Sequence, residues 1–205
     1  MATARDPEKT RALILDVAFN EIYARGFQGV GVREIAAKAG LTIGAFFHYF
    51  PTKSSVGYAI VDEVLKQGIL ERWIRPLAAY KNPLQGILKT YRKTFDDWPD
   101  EYLARGCPLN NLAQEMSAID PAFRERTREV ITLWIDELEK HLRRAKKDGY
   151  LEASTNTREL AEFIVTLHEA AFAMGKTLND RAIYASLYNA LRDHLKAKAA
   201  VATEG

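Results

Sequence analysis

The residues with the most specific spacing lie between Gly29 and Lys53, in GVGVREIAAKAGLTIGAFFHYFPTK. Val32, Ile35 and Ala36 give a first short helix one apolar side. Ala39 is small enough for close approach of a second helix, and Gly40 supplies the positive φ of a tight turn. Leu41 plugs the space between the helices, and Thr42 caps the second one. This is the design of a helix-turn-helix, whose second helix can lie in the major groove of double-stranded DNA. The chemistry expected is therefore recognition of phosphates and base edges.

Catalysis has little support elsewhere in the chain. There is no phosphate-cradling glycine loop, no nucleophile elbow and no metal-ligand spacing, so neither an enzyme, a cofactor nor a metal is expected. The four histidines, His48, His141, His168 and His194, are dispersed, and Glu162 and His168 share a helix without zinc-motif spacing. Glu115 reads as a lone acid on an ordinary helix. A helical adaptor using the same motif for protein contact is the rival class; sequence-selective, salt-dependent DNA binding separates the two.

The Gly29–Lys53 stretch resembles the TetR family of transcriptional regulators, through VREIAAKAGLT followed by the aromatic-rich GAFFHYFPTK, at the right distance from an amphipathic first helix. The clear resemblance covers about the first third of the chain. It implies a homodimeric repressor, released from a palindromic operator by a small-molecule effector. It places Arg33 where a base edge or phosphate is reached from the first motif helix. Thr42, Ile43 and Gly44 then form the exposed start of the recognition helix, with Phe47 at a DNA-contacting position and His48 beside it; Lys53 meets a phosphate. Two residues depart from the family pattern. Gly31 replaces a capping Ser or Thr, and Phe47 replaces a tyrosine. Phe47 keeps an apolar face for a thymine methyl. Phe46, Tyr49 and Phe50 turn inward by helical spacing.

The elements around this motif read as helices almost throughout, an all-α fold. A helix-turn-helix DNA-binding domain over 1–53 is expected to precede a helical ligand-binding and dimerisation domain over 54–205. Asp6-Pro7-Glu8 starts the first helix, with Ile14, Ala18 and Ile22 on one face, and Gly26 ends it. Thr52 can cap a helix running to about Ile74, where Pro76 stops it, and this segment is the natural lever between the domains. Asn82-Pro83, Gly106-Cys107-Pro108 and Asp120-Pro121 open three more helices. Thr157 can cap the next, and Asn179 or Asp180 starts the last.

The middle helices should wall an effector cavity. Trp73, Tyr91, Phe95, Trp98, Tyr102, Cys107, Asn110, Asn111, Gln114, Trp134, His168 and Phe172 are its candidate lining, suited to a mostly apolar ligand with a few polar atoms. For any single one of them core packing is the stronger expectation, and His168 reads equally as a satisfied core histidine. Two late apolar stripes, with Phe163, Leu167, Tyr184, Leu187, Tyr188 and Leu191, are expected to form an isologous four-helix dimer interface. The alternative is that they only close the monomer's core.

Cys107 supports a second function, that of a thiol-based electrophile or redox sensor. A position at a helix start beside Arg105 would lower its pKa; a buried inert thiol is the simpler expectation.

Composition agrees with this class. Among 205 residues, 47% are hydrophobic and the net charge is only +2, so DNA binding must come from a local surface. Residues 1–53 carry seven basic and five acidic side chains, a small positive excess. One cysteine excludes an internal disulfide, and the chain shows no apolar leader or membrane-spanning run, so a soluble cytoplasmic protein without membrane partners is expected.

Overall fold

The computed structural model describes residues 6–200. Eleven α-helices appear among them: α1 (Pro7–Arg25), α2 (Val32–Lys38), α3 (Ile43–Tyr49), α4 (Lys53–Ala59), α5 (Lys66–Ile69), α6 (Pro83–Asp97), α7 (Asp100–Arg105), α8 (Pro108–Met116), α9 (Pro121–Lys147), α10 (Thr157–Leu178) and α11 (Ala182–Lys198). The only β pairing among the described residues is one antiparallel bridge between Leu151 and Ala199.

Caps explain most boundaries. The side chains of Asp6, Asn82 and Asp120 each accept two backbone N–H groups ahead of a proline in the first turn. Thr52 forms a reciprocal capping box with Ser55. The start of α10 departs from expectation: Asn156 is the cap, accepting from Arg158 and Glu159, while the Thr157 hydroxyl donates to Glu139 at 3.2 Å. Asparagine, one residue earlier, is the stronger acceptor at that position.

The expected single helix after Thr52 is more varied. It widens into π-helical turns at Ile60–Leu65 and Leu70–Ile74, flanking α5. Pro76 does not stop the winding but tightens it into a 3-10 segment, Arg75–Ala79, because a proline at the start of a helical turn loses no hydrogen bond. α7 is a helix that the sequence reading missed, begun at Pro99 and ended by Gly106 at φ 75°.

One continuous core runs through the chain. Ile14, Ala18, Ile35, Phe46 and Val56 close the N-terminal end. Trp134, Leu138 and Leu142 carry the core along α9, and α10 packs beside α9 and α11. Tyr184, Leu187 and Leu191 of α11 are 1–3% exposed and belong to this core. The apolar stripe of α11 thus faces its own chain, against α6 and α10, rather than outward as the dimer expectation required.

Two glycines are needed for close approaches. A Cβ at Gly57 would lie 2.4 Å from the Phe123 ring and 2.6 Å from that of Phe27. A Cβ at Gly175 would lie 2.5 Å from the Tyr184 hydroxyl, which crosses the helix there to donate to the Leu103 carbonyl at 2.7 Å.

Candidate DNA-binding surface and effector cavity

The motif is held from inside by Ile35, Ala36 and Phe46, which are at most 1% exposed. Gly40 at φ 63° reverses the chain, and the Leu41 N–H donates to the Ala36 carbonyl at 2.9 Å, closing α2. Thr42 caps α3 by accepting from the Ala45 N–H at 3.1 Å. The first turn of α3 then points outward. Thr42, Ile43, Gly44, Phe47 and His48 are all exposed, with Ile43 and Phe47 at 40% and 44%. Ile43 and Phe47 therefore leave two apolar side chains open on one small face.

Charge on this head is mostly committed internally. Arg25 and Lys38 both pair with Glu21 and Glu34, which ties α1 to α2. Arg11 makes a two-pronged bond to Glu63, at 2.6 and 2.7 Å. Gly31 begins α2 without a side-chain cap. Among the described residues of the head, Arg33 is the cation with neither an ion pair nor a ring partner, and it is exposed. Lys53 is placed differently from Arg33. Its ammonium lies 4.6 Å from the centre of the Phe27 ring, and burial lowers its pKa against the opposing effect of Glu115. It is a half-buried group at the start of α4 rather than a free surface cation.

Glu115, unremarkable in sequence, is central here. Its carboxylate reaches from α8 to accept the Phe27 N–H at 2.7 Å and the Gln28 N–H at 2.8 Å, in the loop that leads into α2. Close by, Tyr58 donates to Asp120 at 2.7 Å and Arg126 pairs with Asp62. Periodicity cannot reveal such long-range clasps.

The effector-cavity candidates divide into three groups. Trp73, Trp98, Cys107, His168 and Phe172 line a cavity of about 170 Å³, together with Arg72 and Phe19. The Arg72 guanidinium sits 4.3 Å from the centre of the Trp98 ring; sequence reading missed it. Tyr91, Phe95 and Trp134 pack beside the cavity rather than on it. The Tyr91 and Trp134 rings lie 5.6 and 4.8 Å from His168, and Phe95 lies 6.0 Å from Phe172. The amides fall outside. Asn111 donates to the Arg105 carbonyl at 2.8 Å and accepts from Lys176, Asn110 points its amide at the Glu169 carbonyl, and Gln114 is exposed. Tyr102 is 43% exposed. These polar groups satisfy backbone or face water because α8 buries its leucines instead.

Cys107 is 5% exposed. Burial pushes its thiol well above the ordinary value, and the nearby Glu169 carboxylate adds to this, outweighing the N–H groups of Asn110 and Leu109. The low pKa expected from a helix start and Arg105 is therefore not found; a desolvated thiol beside an acid is a poor nucleophile. Burial also raises Glu169, to about 7, and lowers His168, to about 3.

The profile described as bacterial regulatory proteins, tetR family, matches residues 14–56, and that described as tetracyclin repressor-like, C-terminal domain, matches residues 83–191. The chain belongs to the TetR family. Relatives in sequence are transcriptional regulators as well. The transcriptional regulator AcuR of Cereibacter sphaeroides is 27% identical over 167 residues, covering 78% of this chain and 73% of its own. An HTH-type regulator of Lactococcus lactis is 31% identical over 123 residues, 57% of this chain, and the match spans 59% of that relative's length. Among solved structures, a TetR regulator from Chloroflexus aurantiacus superposes with a TM-score of 0.84 at 24% identity, covering 97% of this chain and 100% of that one. The reduced form of E. coli NemR gives 0.80 at 21% identity, covering 95% and 99%. At these identities the likeness is one of fold. The TetR assignment makes this chain a DNA-binding transcriptional regulator. Among its described residues no helix is long and apolar enough to cross a membrane.

Proposed function

We propose that this TetR-family chain is a cytoplasmic homodimeric repressor that leaves a palindromic operator when a small, mostly apolar molecule fills the cavity under α8. The carrying observation is the outward first turn of α3, with Ile43 and Phe47 bare beside Thr42, Gly44 and His48, and with Arg33 unpaired. Apolar contact with thymine methyls and one free guanidinium suit a groove floor flanked by phosphates. Residues 1–53 act as the DNA-binding head and 54–205 as the effector and dimer domain. Lys53 reaches a phosphate only by leaving the Phe27 ring.

Two heads must meet successive major grooves about 34 Å apart, which requires a dimer. The free face of α10 supports one: Phe163, Met174 and Leu178 are 37%, 48% and 53% exposed, in line with Ala170. Leu167 and Tyr188 are half-buried and border that face. The cavity measures about 170 Å³, and a neighbouring pocket of about 440 Å³ shares its Phe19, Leu65 and Pro108 walls. Pro108 and Leu109, at one end of α8, line the cavity, and Glu115, near the other, grips the head. A shift of α8 on filling would re-aim the heads.

Selection of bound sequences from random DNA, repeated with candidate small molecules, tests this reading. A palindromic consensus bound by a dimer and lost with an effector supports it. A folded protein that enriches no sequence overturns it.

A further inference from the structure

The cluster under the N-terminal end of α8 has features that an apolar effector pocket does not need. Cys107 enters from the start of α8, while His168 and Glu169 are neighbours on α10. One ligand atom of each lies within 4.8 Å of the other two. The Cys107 Sγ and the Glu169 Oε1 are already 3.3 Å apart. The other Glu169 oxygen and the His168 Nδ1 are closed off from solvent and have no hydrogen-bond partner. Orphaned acceptor-capable atoms on the two residues that neighbour the thiol are expensive in a ring-lined interior unless something is meant to satisfy them. Trp73, Trp134 and Phe172 fix the His168 ring, with centroids 4.6, 4.8 and 4.3 Å away, so the imidazole is held in place rather than free to seek another partner.

We propose that Cys107, His168 and Glu169 form a binding site for one divalent metal ion of the zinc class. Thiolate, imidazole and carboxylate together select zinc-like ions over magnesium or calcium, which take oxygen alone. Metal–ligand bonds of about 2.0–2.3 Å place tetrahedral ligands about 3.3–3.8 Å apart. The Cys107–Glu169 pair already has that spacing, and with the imidazole held in place the two side chains close on it from within 4.8 Å. On binding, the Cys107 Sγ–H bond breaks, its proton goes to water, and a sulfur–metal bond forms. His168 binds as the neutral imidazole and Glu169 as the carboxylate, any proton on its carboxyl going to water as well. The two anionic ligands neutralise the dication in a region where an uncompensated charge would be costly. The fourth position opens onto the cavity, which Cys107 and His168 both line, leaving room for water or a small donor molecule. Sequence spacing does not announce the site, because the cysteine and the His-Glu pair are 61 residues apart and on different helices.

The site shares the cavity proposed for the effector, but its test does not require operator binding. The reduced, metal-free full-length chain is titrated with cobalt(II) alone, following absorption. One equivalent should give the thiolate-to-cobalt charge-transfer band and the visible bands of a tetrahedral ion, and zinc should bleach both. Cys107→Ser should abolish the charge-transfer band. Glu169→Gln should weaken binding by at least about tenfold, the lower range seen even for groups that only support a ligand. Circular dichroism confirms that each variant is folded. No charge-transfer band in the folded wild type, or unchanged cobalt affinity in both variants, overturns the proposal.

Discussion

The Glu115 carboxylate accepts the Phe27 N–H at 2.7 Å across 88 residues of sequence, fastening α8 to the loop that enters the DNA-binding motif. Its other oxygen takes the Gln28 N–H, and Gly26 has no side chain to obstruct the carboxylate, since a Cβ there would lie 3.0 and 3.2 Å from its two oxygens. A rigid helix therefore spans from the cavity to the head. Replacing Glu115 with Ala strands the part-buried Phe27 N–H, while the exposed Gln28 N–H turns to water. The expected loss is about 1–3 kcal/mol of stability, the usual cost of stranding partners of a charged acceptor. Amide exchange at Phe27 and Gln28 should quicken first. If both stay protected in a folded variant, the clasp does not hold the loop.

Arg33 and Lys38 are close in sequence but differ in availability. Arg33→Ala should weaken operator binding and lower the salt slope by about one unit, as for a lost phosphate contact. Lys38→Ala should change affinity less, because its charge is already shared by Glu21 and Glu34. Fluorescence anisotropy of both variants at several salt concentrations gives the comparison. Equal effects would contradict the pairing pattern.

Gly57→Ala forces a methyl group against the rings of Phe27 and Phe123, and Gly175→Ala forces one against Tyr184. Each should cost about 1–3 kcal/mol through overpacking. Gly149 is the control for space: nothing lies within 4 Å of its Cβ position, so any cost of Gly149→Ala comes from its φ of 76° alone. Thermal unfolding midpoints rank the three.

Cys107 should react slowly with thiol reagents in the native protein and fully after denaturation, since it is buried and its pKa is raised. Brief exposure to an electrophile should leave operator affinity unchanged. Fast native labelling accompanied by DNA release would restore the sensor reading.

Met174→Glu places a charge on the exposed stripe of α10, where the wild-type side chain is 48% exposed. Sedimentation should show a dimer of the 23.1 kDa chain for the wild type and a monomer for the variant, with helical content kept. A variant that remains dimeric would move the interface elsewhere.

The sequence by itself determined the helices and the motif, because both depend on local physics. Gly40, Thr42 and the spacing of Ile35, Ala36 and Phe46 make the turn whatever lies elsewhere in the chain. The same holds for the caps at Asp6, Asn82 and Asp120. Tertiary structure alone decided which apolar stripes face inward. Tyr184, Leu187 and Leu191 have the periodicity of an interface, yet α6 and α10 cover them, and a stripe carries no mark of what will cover it. It also decided which charges are free, since Lys53 resting on Phe27 and Arg33 standing alone look alike in one dimension. The placing of Glu115 at Phe27 and of Cys107 beside Glu169 follows from helix packing over long separations, which no local pattern records.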